Sequence, residues 1–493
     1  MYYPTKEEFK QKAKQGNLIP VYKEILGDLE TPVSAFYKIS QGGKYGYLLE
    51  SVEKGEKLGR YSFLGASPSI IFKSKGSQGV IIKDGKEEIF NVANDPLIQL
   101  KKLMSQFKPV KVDGLPRFYG GAVGYLSYDY VRFIEELPDK NPDNLNLPDT
   151  FFVITDTILI FDHLLQTIKV VSNAYVDKDP DLAYEKAIEQ IEGIITKLRQ
   201  SIPVRNSKFE IRNSKFPFQS NFTKNGFEKI VKGAKEYIKA GDIIQVVLSQ
   251  RLTGKIHSEP LTVYRALRRI NPSPYMFYLK YDEVNIVGSS PELLVRLEEG
   301  EVETRPIAGT KPRGINEKAD DKYAKELLAD PKENAEHIML VDLGRNDIGR
   351  VCEYKSIHLP EFMVIEKYSH VMHIVTSVKG KLLPQYDAFS LIRACFPAGT
   401  VTGAPKVRAM EIINEFEPER RGPYAGCVGY FSFSGNLDTC ITIRTIVIKD
   451  GKAYLQAGAG IVADSNPETE YYETMNKLKC LIDAVELAEK GLQ

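Results

Sequence analysis

The strongest constraint on how this chain folds comes from two distant segments that share a helix cap, an early proline and two glutamates three residues apart. In the first, Asp330 and Pro331 are suited to start a helix, and Glu333 and Glu336 follow. Residues three apart project from one face of a helix, here near the positive end of its dipole. An apolar run follows, so the sequence predicts a mostly buried helix that ends at Gly344.

The second segment has Asn466 and Pro467 at its start, followed by Glu470 and Glu473. If the two helices face each other, four carboxylates meet, and their repulsion raises their pKa values unless a cation lies between them. Oxygen ligands at this density suit Mg²⁺, which keeps several waters and shares its coordination shell with an anionic substrate. We therefore predict a Mg²⁺ site between the helices. For one segment alone, a capping box with first-turn acids is the alternative.

Composition excludes several classes of protein. A net charge of +1 over 493 residues argues against a dedicated nucleic-acid binder. Five cysteines without CxxC spacing argue against a disulfide framework or a zinc site, and they fit a reducing, cytoplasmic setting. The most apolar stretch, residues 151–165, contains Asp156 and Asp162, so it predicts two strands and no membrane span. Met1 leads directly into a lysine-rich helix, which does not resemble a signal peptide.

The order of helical and strand patterns predicts an α+β protein in which helices pack on large sheets. A short motif at residues 205–209 recurs at residues 212–216. Two copies cannot form a solenoid, so we interpret residues 204–220 as a linker. This places one domain at residues 1–203 and a second at residues 221–493.

Two segments near the C-terminus are suited to bind anions. Alternation over residues 438–446 predicts a strand with Arg444 and Thr442 on one face. A guanidinium there matches a substrate carboxylate, although an edge-strand arginine that reaches solvent is the alternative. Residues 456–460 predict a small-residue loop that can turn backbone amides toward an anion, although ordinary turns have the same composition.

Acid–base chemistry is suggested at two further places. Glu292 follows a strand end and a proline-fixed turn, which is a good way to hold a general acid, although a solvated strand-end glutamate is the alternative. His370 and His373 lack a third soft ligand at a usable spacing, so we expect one of them to act as a hydrogen-bond donor or as an acid or base.

Two apparent motifs fail on inspection. Residues 399–406 resemble a phosphate-binding loop, but their spacing and Pro405 break that pattern. Residues 425–429 resemble a nucleophile elbow around Cys427. All six histidines precede Cys427, so the order of nucleophile, acid and histidine found in elbow enzymes is not met. We therefore expect no glutamine hydrolysis by this chain.

Five ordered segments together resemble the signatures of the chorismate-utilising enzymes: residues 306–310, 333–347, 396–406, 435–439 and 458–473. The resemblance covers nearly the whole chain and is densest after residue 223. It implies the fold of that family, a layered sandwich with large antiparallel sheets flanked by helices. It also implies that residues 221–493 form the chorismate-binding catalytic domain.

The resemblance assigns roles to individual residues. Glu336 and Glu473 would bind Mg²⁺ directly, and Glu333 and Glu470 would hold metal-bound waters. Glu292 would protonate the departing ring hydroxyl, and His373 would face the reacting ring. The residues expected to hold chorismate are Gly309, Thr310, Tyr424, Arg444, Gly458, Ala459, Gly460 and Lys477. For Lys477 a plain ion pair with Glu473, four residues away on the same helix, is the alternative.

Two positions separate the reactions of the family. Family members that attack the ring with a lysine carry it where Ala308 stands, and those that activate water with a lysine carry it where Gln245 stands. Neither residue can play that part here, so the nucleophile is expected to be free ammonia. The expected reaction is amination of chorismate followed by loss of pyruvate to give anthranilate, which begins tryptophan biosynthesis. A separate glutamine amidotransferase subunit would supply the ammonia.

Residues 48–51 and 271–276 resemble the tryptophan-binding elements of the family, with Ser51, Pro274, Tyr275 and Met276 as the expected contacts. A ligand that bridges the two halves of the chain could bias their packing, so we expect feedback inhibition by tryptophan. Two competing interpretations remain open. One is an aminodeoxychorismate synthase, and the other is a non-catalytic protein that binds a metal or senses tryptophan.

Overall fold

The computed structural model describes residues 1–51, 59–202, 217–368 and 371–492. The predicted linker lies largely outside these ranges, and so does His370. The helices in the described ranges are α1 (Lys6–Lys12), α2 (Pro32–Ile39), α3 (Pro96–Met104), α4 (Pro180–Leu198), α5 (Lys224–Ala240), α6 (Pro260–Ile270), α7 (Glu317–Ala329), α8 (Pro331–Gly349), α9 (Ala388–Cys395), α10 (Lys406–Phe416) and α11 (Pro467–Glu489). Two 3₁₀ turns cover Tyr128–Phe133 and Gly399–Val401.

The strands are β1 (Leu18–Leu26), β2 (Tyr45–Glu50), β3 (Tyr61–Ala66), β4 (Ile70–Lys75), β5 (Gln78–Lys83), β6 (Lys86–Asn91), β7 (Gly121–Leu126), β8 (Thr150–Ile154), β9 (Thr157–Asp162), β10 (Thr167–Tyr175), β11 (Gln219–Ser220), β12 (Gln245–Lys255), β13 (Tyr275–Tyr281), β14 (Val284–Ser290), β15 (Leu293–Glu298), β16 (Glu301–Thr304), β17 (Ile307–Pro312), β18 (His358–Lys367), β19 (Val371–Lys381), β20 (Gly403–Ala404), β21 (Cys427–Ser432), β22 (Leu437–Ile441), β23 (Thr445–Lys449) and β24 (Lys452–Ile461).

These strands form two large antiparallel sheets. The order in the first sheet is β1-β10-β9-β3-β2-β13-β14-β23-β24-β12-β11, and β20 also pairs with β12. The order in the second sheet is β17-β19-β16-β15-β22-β21-β7-β8-β4-β5-β6, and β18 also pairs with β19. Strands from both sides of the predicted linker occur in each sheet. The division into two domains stays a prediction, but the two segments share both sheets.

The two sheets pack face to face around a common core. The rings of Phe151 in the second sheet and Tyr281 in the first stack with centroids 4.3 Å apart. The Tyr281 hydroxyl also donates a hydrogen bond to the Val123 carbonyl across the interface, at 2.9 Å. Helices cover the outer faces, with α4 on β10, α10 on β12 and α11 on β24. The predicted α+β sandwich of large antiparallel sheets flanked by helices is confirmed.

Both glutamate-bearing helices begin where the sequence predicts. The Asp330 carboxylate caps α8 by accepting from the backbone N–H groups of Lys332 and Glu333. The Asn466 side chain caps α11 in the same way. The predicted end of α8 at Gly344 is wrong, because the helix continues to Gly349. Gly344 is a packing position instead, where a Cβ atom would lie 3.2 Å from the Thr304 methyl group.

Two further sequence predictions are corrected. Residues 438–446 are not one strand, because β22 belongs to the second sheet and β23 to the first. The chain crosses between the sheets at Thr442–Arg444, and Arg444 takes a positive φ of 51° at this corner. Residues 456–460 are not a loop but part of β24. Their small side chains allow neighbouring strands and side chains to approach the backbone of β24 closely. In the sequence, this composition cannot be told from that of a flexible turn.

No helix in the described ranges combines the length and apolarity needed to cross a membrane.

Candidate active site

The candidate site lies where two connections cross from one sheet to the other. One crossing joins β14 to β15 and carries Glu292, and the other joins β22 to β23 and carries Arg444. Backbone hydrogen bonds hold the crossings together, from Ile441 N to Glu292 O and from Ser289 N to Arg444 O, both at 3.1 Å. This brings two predicted site residues from distant parts of the sequence next to each other.

Glu292 is a buried carboxylic acid that is mostly protonated at neutral pH. The residue is 4% exposed, and this burial raises the pKa of its carboxyl group to about 8. The hydrogen bond from the Thr400 hydroxyl to Glu292 Oε1, at 2.7 Å, opposes that rise and lowers the pKa. A protonated carboxyl in a water-poor position can donate a proton to a leaving group.

Thr400 is a residue that the sequence analysis did not select. It lies in the 3₁₀ turn of the segment rejected as a phosphate-binding loop. Lys406, at the end of that segment, forms an ion pair with Asp347 at 2.8 Å. The available signal was the resemblance of residues 396–406 to a family signature, which gave no role to a single side chain.

Two of the four predicted glutamates, Glu336 and Glu473, lie near β24, whereas Glu333 lies beside Gly309 of β17. Glu336 Oε1 accepts a hydrogen bond from Gln245 Nε2 at 3.0 Å, and a Cβ atom at Gly460 would lie 3.7 Å from the same oxygen. Lys477 Nζ bonds Glu473 Oε1 at 2.7 Å and Gly458 O at 2.9 Å. Gly458 and Gly460 are two residues apart on one strand, a separation of about 7 Å. The direct metal ligands predicted on two separate helices therefore lie close to each other.

Two of these glutamates have pKa values above the ordinary range. For Glu333 the first cause is burial, followed by repulsion from Glu336. For Glu470 burial again comes first, and Glu473 adds repulsion. A cation would relieve both repulsions.

Within the described ranges, no group of three or more His, Cys, Asp or Glu side chains is arranged to hold a metal ion. Mg²⁺ is commonly held by one or two carboxylates together with waters and substrate oxygens. A site that needs only Glu336 and Glu473 from the protein is therefore compatible with this arrangement. The donor atoms are all hard oxygens, so the residues fit a Mg²⁺ ion shared with an anionic ligand.

His373 is held as a neutral imidazole. Its Nδ1 lies 2.8 Å from the Gly309 carbonyl oxygen, so this nitrogen carries the proton and donates it. Burial lowers the pKa of the ring, and the nearby Arg444 lowers it further. The Thr310 hydroxyl also lies 3.1 Å from Nδ1. The remaining nitrogen, Nε2, is therefore available to accept a proton.

The other predicted chorismate contacts differ in what their side chains touch. The Tyr424 hydroxyl lies next to Gly458, where a Cβ atom would be only 2.9 Å from it. Arg444 Nη1 donates to the Lys477 carbonyl at 3.1 Å, so part of its guanidinium is used to hold α11. Ala459 is not brought into the site by its side chain, which packs in the core with α5 and α10. Lys477 makes the ion pair with Glu473 given as the alternative and also contacts the Gly458 carbonyl, and its role in binding chorismate stays a prediction.

The four residues expected to bind tryptophan line a separate cavity of about 330 Å³: Ser51, Pro274, Tyr275 and Met276. It forms where β2 pairs with β13, with Glu50 opposite Met276. Among the described residues, no hydrogen-bond partner is present for the buried Ser51 hydroxyl. The cavity therefore offers an unsatisfied hydroxyl in a wall that combines apolar side chains with charged ones, among them Arg117, Arg296 and Asp438.

Comparison with known proteins places the chain in a family. The chorismate binding enzyme family matches residues 47–483. Anthranilate synthase component 1 from Aquifex aeolicus is 50% identical over 98% of each chain, and that from Acetivibrio thermocellus is 48% identical over 99% of each chain. The crystal structure of anthranilate synthase component I from Streptococcus pneumoniae superimposes with a TM-score of 0.78 at 36% identity, covering 93% of this chain and 99% of that one. The chain belongs to the chorismate-binding enzymes, within the group of the anthranilate synthase component 1 proteins.

Proposed function

We propose that this protein converts chorismate and ammonia to anthranilate, pyruvate and water, the first committed step of tryptophan biosynthesis. The names of relatives that share about half of its residues support this activity. The observation that carries the proposal best is the buried Glu292, an acid with a pKa of about 8 that is influenced by Lys477, the ion-pair partner of Glu473. An acid and a cation site together suit a reaction in which hydroxide must leave a dianionic ring.

Glu292 supplies the proton in the first step. The ammonia lone pair forms a bond to ring carbon 2, both ring double bonds shift by one position, and the bond from carbon 4 to its hydroxyl oxygen breaks. The Glu292 proton joins that oxygen, so water leaves in place of hydroxide. The ammonium formed on carbon 2 loses one proton, which balances the proton that Glu292 gives.

His373 serves the second step. The bond between the ring and the enolpyruvyl oxygen breaks, and the ring becomes aromatic when it loses the hydrogen on carbon 2. The free Nε2 of a neutral imidazole can accept that proton, and the Nδ1 bond to Gly309 O fixes the required tautomer. The released enolpyruvate takes up a proton and becomes pyruvate.

Glu336 and Glu473 would hold Mg²⁺ directly, and Glu333 and Glu470 would hold its waters. The bound ion supplies positive charge for the ring carboxylate of chorismate. Gln245 orients Glu336 through its hydrogen bond. Arg444, Tyr424 and the backbone of residues 458–460 would receive the second carboxylate, and Gly309 and Thr310 would line the ring pocket.

The aminodeoxychorismate synthase alternative is less well supported. Ala308 is buried within β17, opposite Ile374 of β19, and has no nucleophilic atom. Such an enzyme would release an aminated, non-aromatic product that requires a separate lyase. A non-catalytic protein would give no turnover at any ammonium concentration.

The ammonia source and the regulation are further parts of the proposal. A separate glutamine amidotransferase subunit, anthranilate synthase component II, would deliver ammonia, since the relatives are named as component 1 of a synthase. Tryptophan would inhibit by binding the cavity lined by Ser51 and Met276.

The decisive experiment incubates the purified protein with chorismate, Mg²⁺ and an ammonium salt, and follows anthranilate fluorescence. We expect Glu336→Gln to abolish turnover while the circular dichroism spectrum is unchanged. Glu468→Gln is the matched control, because Glu468 lies in the first turn of α11 but pairs with Lys224 at the surface. An unaltered protein that gives no anthranilate would contradict the proposal.

A further inference from the structure

Arg421 is a buried charged residue that the sequence analysis did not select. It is 2% exposed and lies after α10, just before Tyr424. Its guanidinium donates four hydrogen bonds, two to Glu417 at 2.9 and 2.6 Å, one to Val401 O and one to Val247 O, both at 2.7 Å. A buried charge with this many partners is held in one position.

The Glu417 carboxylate is the counter-charge. Burial disfavours the charged guanidinium, but Glu417 more than offsets this and keeps the pKa of Arg421 above its usual value. Glu417 Oε1 also accepts from the backbone N–H and the hydroxyl of Ser249, each at 2.8 Å. Both oxygens of the Glu417 carboxylate therefore accept hydrogen bonds. Loss of either partner of the ion pair would leave an uncompensated buried charge.

The bond from Arg421 to Val401 O connects Arg421 indirectly with the proposed acid, Glu292. Val401 ends the 3₁₀ turn that carries Thr400, and the Thr400 hydroxyl donates to Glu292 Oε1 at 2.7 Å. Arg421 is thus separated from the Glu292 carboxyl by one short turn and one side-chain hydrogen bond.

The remaining contacts reach the proposed substrate pocket. Val247 belongs to β12 and lies opposite Gly460 of β24 in the strand register. The Arg421 guanidinium also lies over the ring of Tyr424, with 5.6 Å between its central carbon and the ring centroid. A single side chain therefore touches the turn, the strand and the aromatic ring that surround the site.

We propose that Arg421 is a positioning residue for the proposed reaction: it fixes the Thr400 turn against β12 and Tyr424, and so holds Glu292 at the leaving hydroxyl. The inference rests on the proposed function. Arginine suits the role because its planar fork presents five donors in fixed directions, whereas the lysine ammonium is compact and cannot reach several carbonyls and a carboxylate at once.

The test compares four variants by steady-state kinetics with chorismate, Mg²⁺ and ammonium. We expect Arg421→Lys to lower kcat by about 30-fold and to raise KM by less than about fivefold, because a small misplacement of a catalytic group affects chemistry more than binding. Thr400→Val should lower kcat as well. If Arg421 acts through Thr400, the double variant will be little slower than Thr400→Val alone.

The fourth variant, Glu417→Met with Arg421→Met, separates positioning from stability. Replacement of the whole buried ion pair leaves no uncompensated charge, although Ser249 and the carbonyls of Val401 and Val247 lose hydrogen-bond partners. The variant should therefore remain folded at the assay temperature, as its melting curve will show, while kcat remains low. Arg251→Lys is the matched control. Arg251 is 4% exposed and lies on β12, but its hydrogen bonds go to Arg420 and Glu419.

The outcomes are distinct. Unchanged kcat in Arg421→Lys, full recovery of kcat in the Glu417–Arg421 double replacement, or additive losses with Thr400→Val would each overturn the positioning role. An equal loss in Arg251→Lys would also overturn it, because any buried arginine would then suffice. If the unaltered protein itself forms no anthranilate, the proposed function fails first and takes this inference with it.

Discussion

At the scale of single residues, the raised pKa of Glu292 predicts how activity depends on pH. Its pKa is raised to about 8, so the protonated form is present below that pH and is lost as the pH rises through it. An enzyme that needs this proton should therefore lose kcat/KM above pH 8, with a basic limb centred near the same value. The measurement is a pH profile of anthranilate formation with ammonia held in excess.

Thr400→Val should move that limb in a defined direction. The Thr400 hydroxyl favours the ionised carboxylate and lowers the pKa, so its removal should raise the limb by about one pKa unit, as expected for a hydrogen bond to a charged group. Valine keeps the shape of the side chain. A limb that stays in place in this variant would show that the titrating group is not Glu292.

Gly458 carries a third residue-scale prediction, because the space that a side chain would occupy there is already filled. A Cβ atom there would lie 2.9 Å from both the Leu248 carbonyl oxygen and the Tyr424 hydroxyl. Gly458→Ala should raise KM for chorismate by about tenfold, the cost expected for one overpacked methyl group.

Gly193→Ala is the control for Gly458→Ala. Gly193 lies in α4, and nothing stands within 4 Å of a Cβ atom there. This change should leave KM unaltered and raise the melting temperature, because alanine favours the helix by about 1 kcal/mol. Equal KM values for Gly458→Ala and the unaltered protein would remove Tyr424 and Gly458 from the proposed pocket.

At the scale of secondary-structure elements, much of the site was predictable because local rules govern helix starts. Asp330 with Pro331 and Asn466 with Pro467 begin α8 and α11 as predicted, and this fixes the directions of the glutamates that follow. The failures share a different cause. Arg444 lies where the chain passes between sheets, and Gly458 to Gly460 lie in a strand whose neighbours require small side chains. Both conditions depend on packing partners far away in the sequence.

The start of α11 gives a prediction at this scale. Asn466 accepts hydrogen bonds from the backbone N–H groups of Glu468 and Thr469, at 3.0 and 3.2 Å. Asn466→Ala should cost about 1 kcal/mol of helix stability and loosen the turn that carries Glu470. We expect the Mg²⁺ concentration for half-maximal activity to rise by about fivefold.

Asp179→Ala is the matched control for that experiment. Asp179 caps α4 through the same pair of bonds, to the N–H groups of Asp181 and Leu182, and α4 packs on β10 away from the candidate site. Both variants should lose similar stability in thermal unfolding, but only Asn466→Ala should change the Mg²⁺ dependence. A shared change in Mg²⁺ dependence would show that overall stability, and not the position of α11, sets it.

At the scale of the whole molecule, both sheets are built from the two sides of the predicted linker. The first sheet joins them where β2 pairs with β13, and the second where β7 pairs with β21. The cavity lined by Ser51 and Met276 lies at the first junction, and the strand after it, β14, ends at Ser290, two residues before Glu292. A ligand in the cavity would therefore contact β13, and the strand that leads to the proposed acid, β14, pairs with β13.

This connection predicts reciprocal binding of tryptophan and chorismate. Tryptophan should lower anthranilate formation and should stabilise the fold by about 2.7 kcal/mol at a hundred times its Kd. Linkage requires that chorismate with Mg²⁺ weaken tryptophan binding by the same factor as tryptophan weakens chorismate binding. Titration calorimetry of tryptophan with and without chorismate, using the Glu292→Gln protein to prevent turnover, measures that factor.

Ser51→Phe, which fills the cavity, should abolish the calorimetric signal, whereas Ser105→Phe at an exposed position after α3 should not. Tryptophan binding with the same affinity in both titrations would show that the cavity and the candidate active site are not coupled.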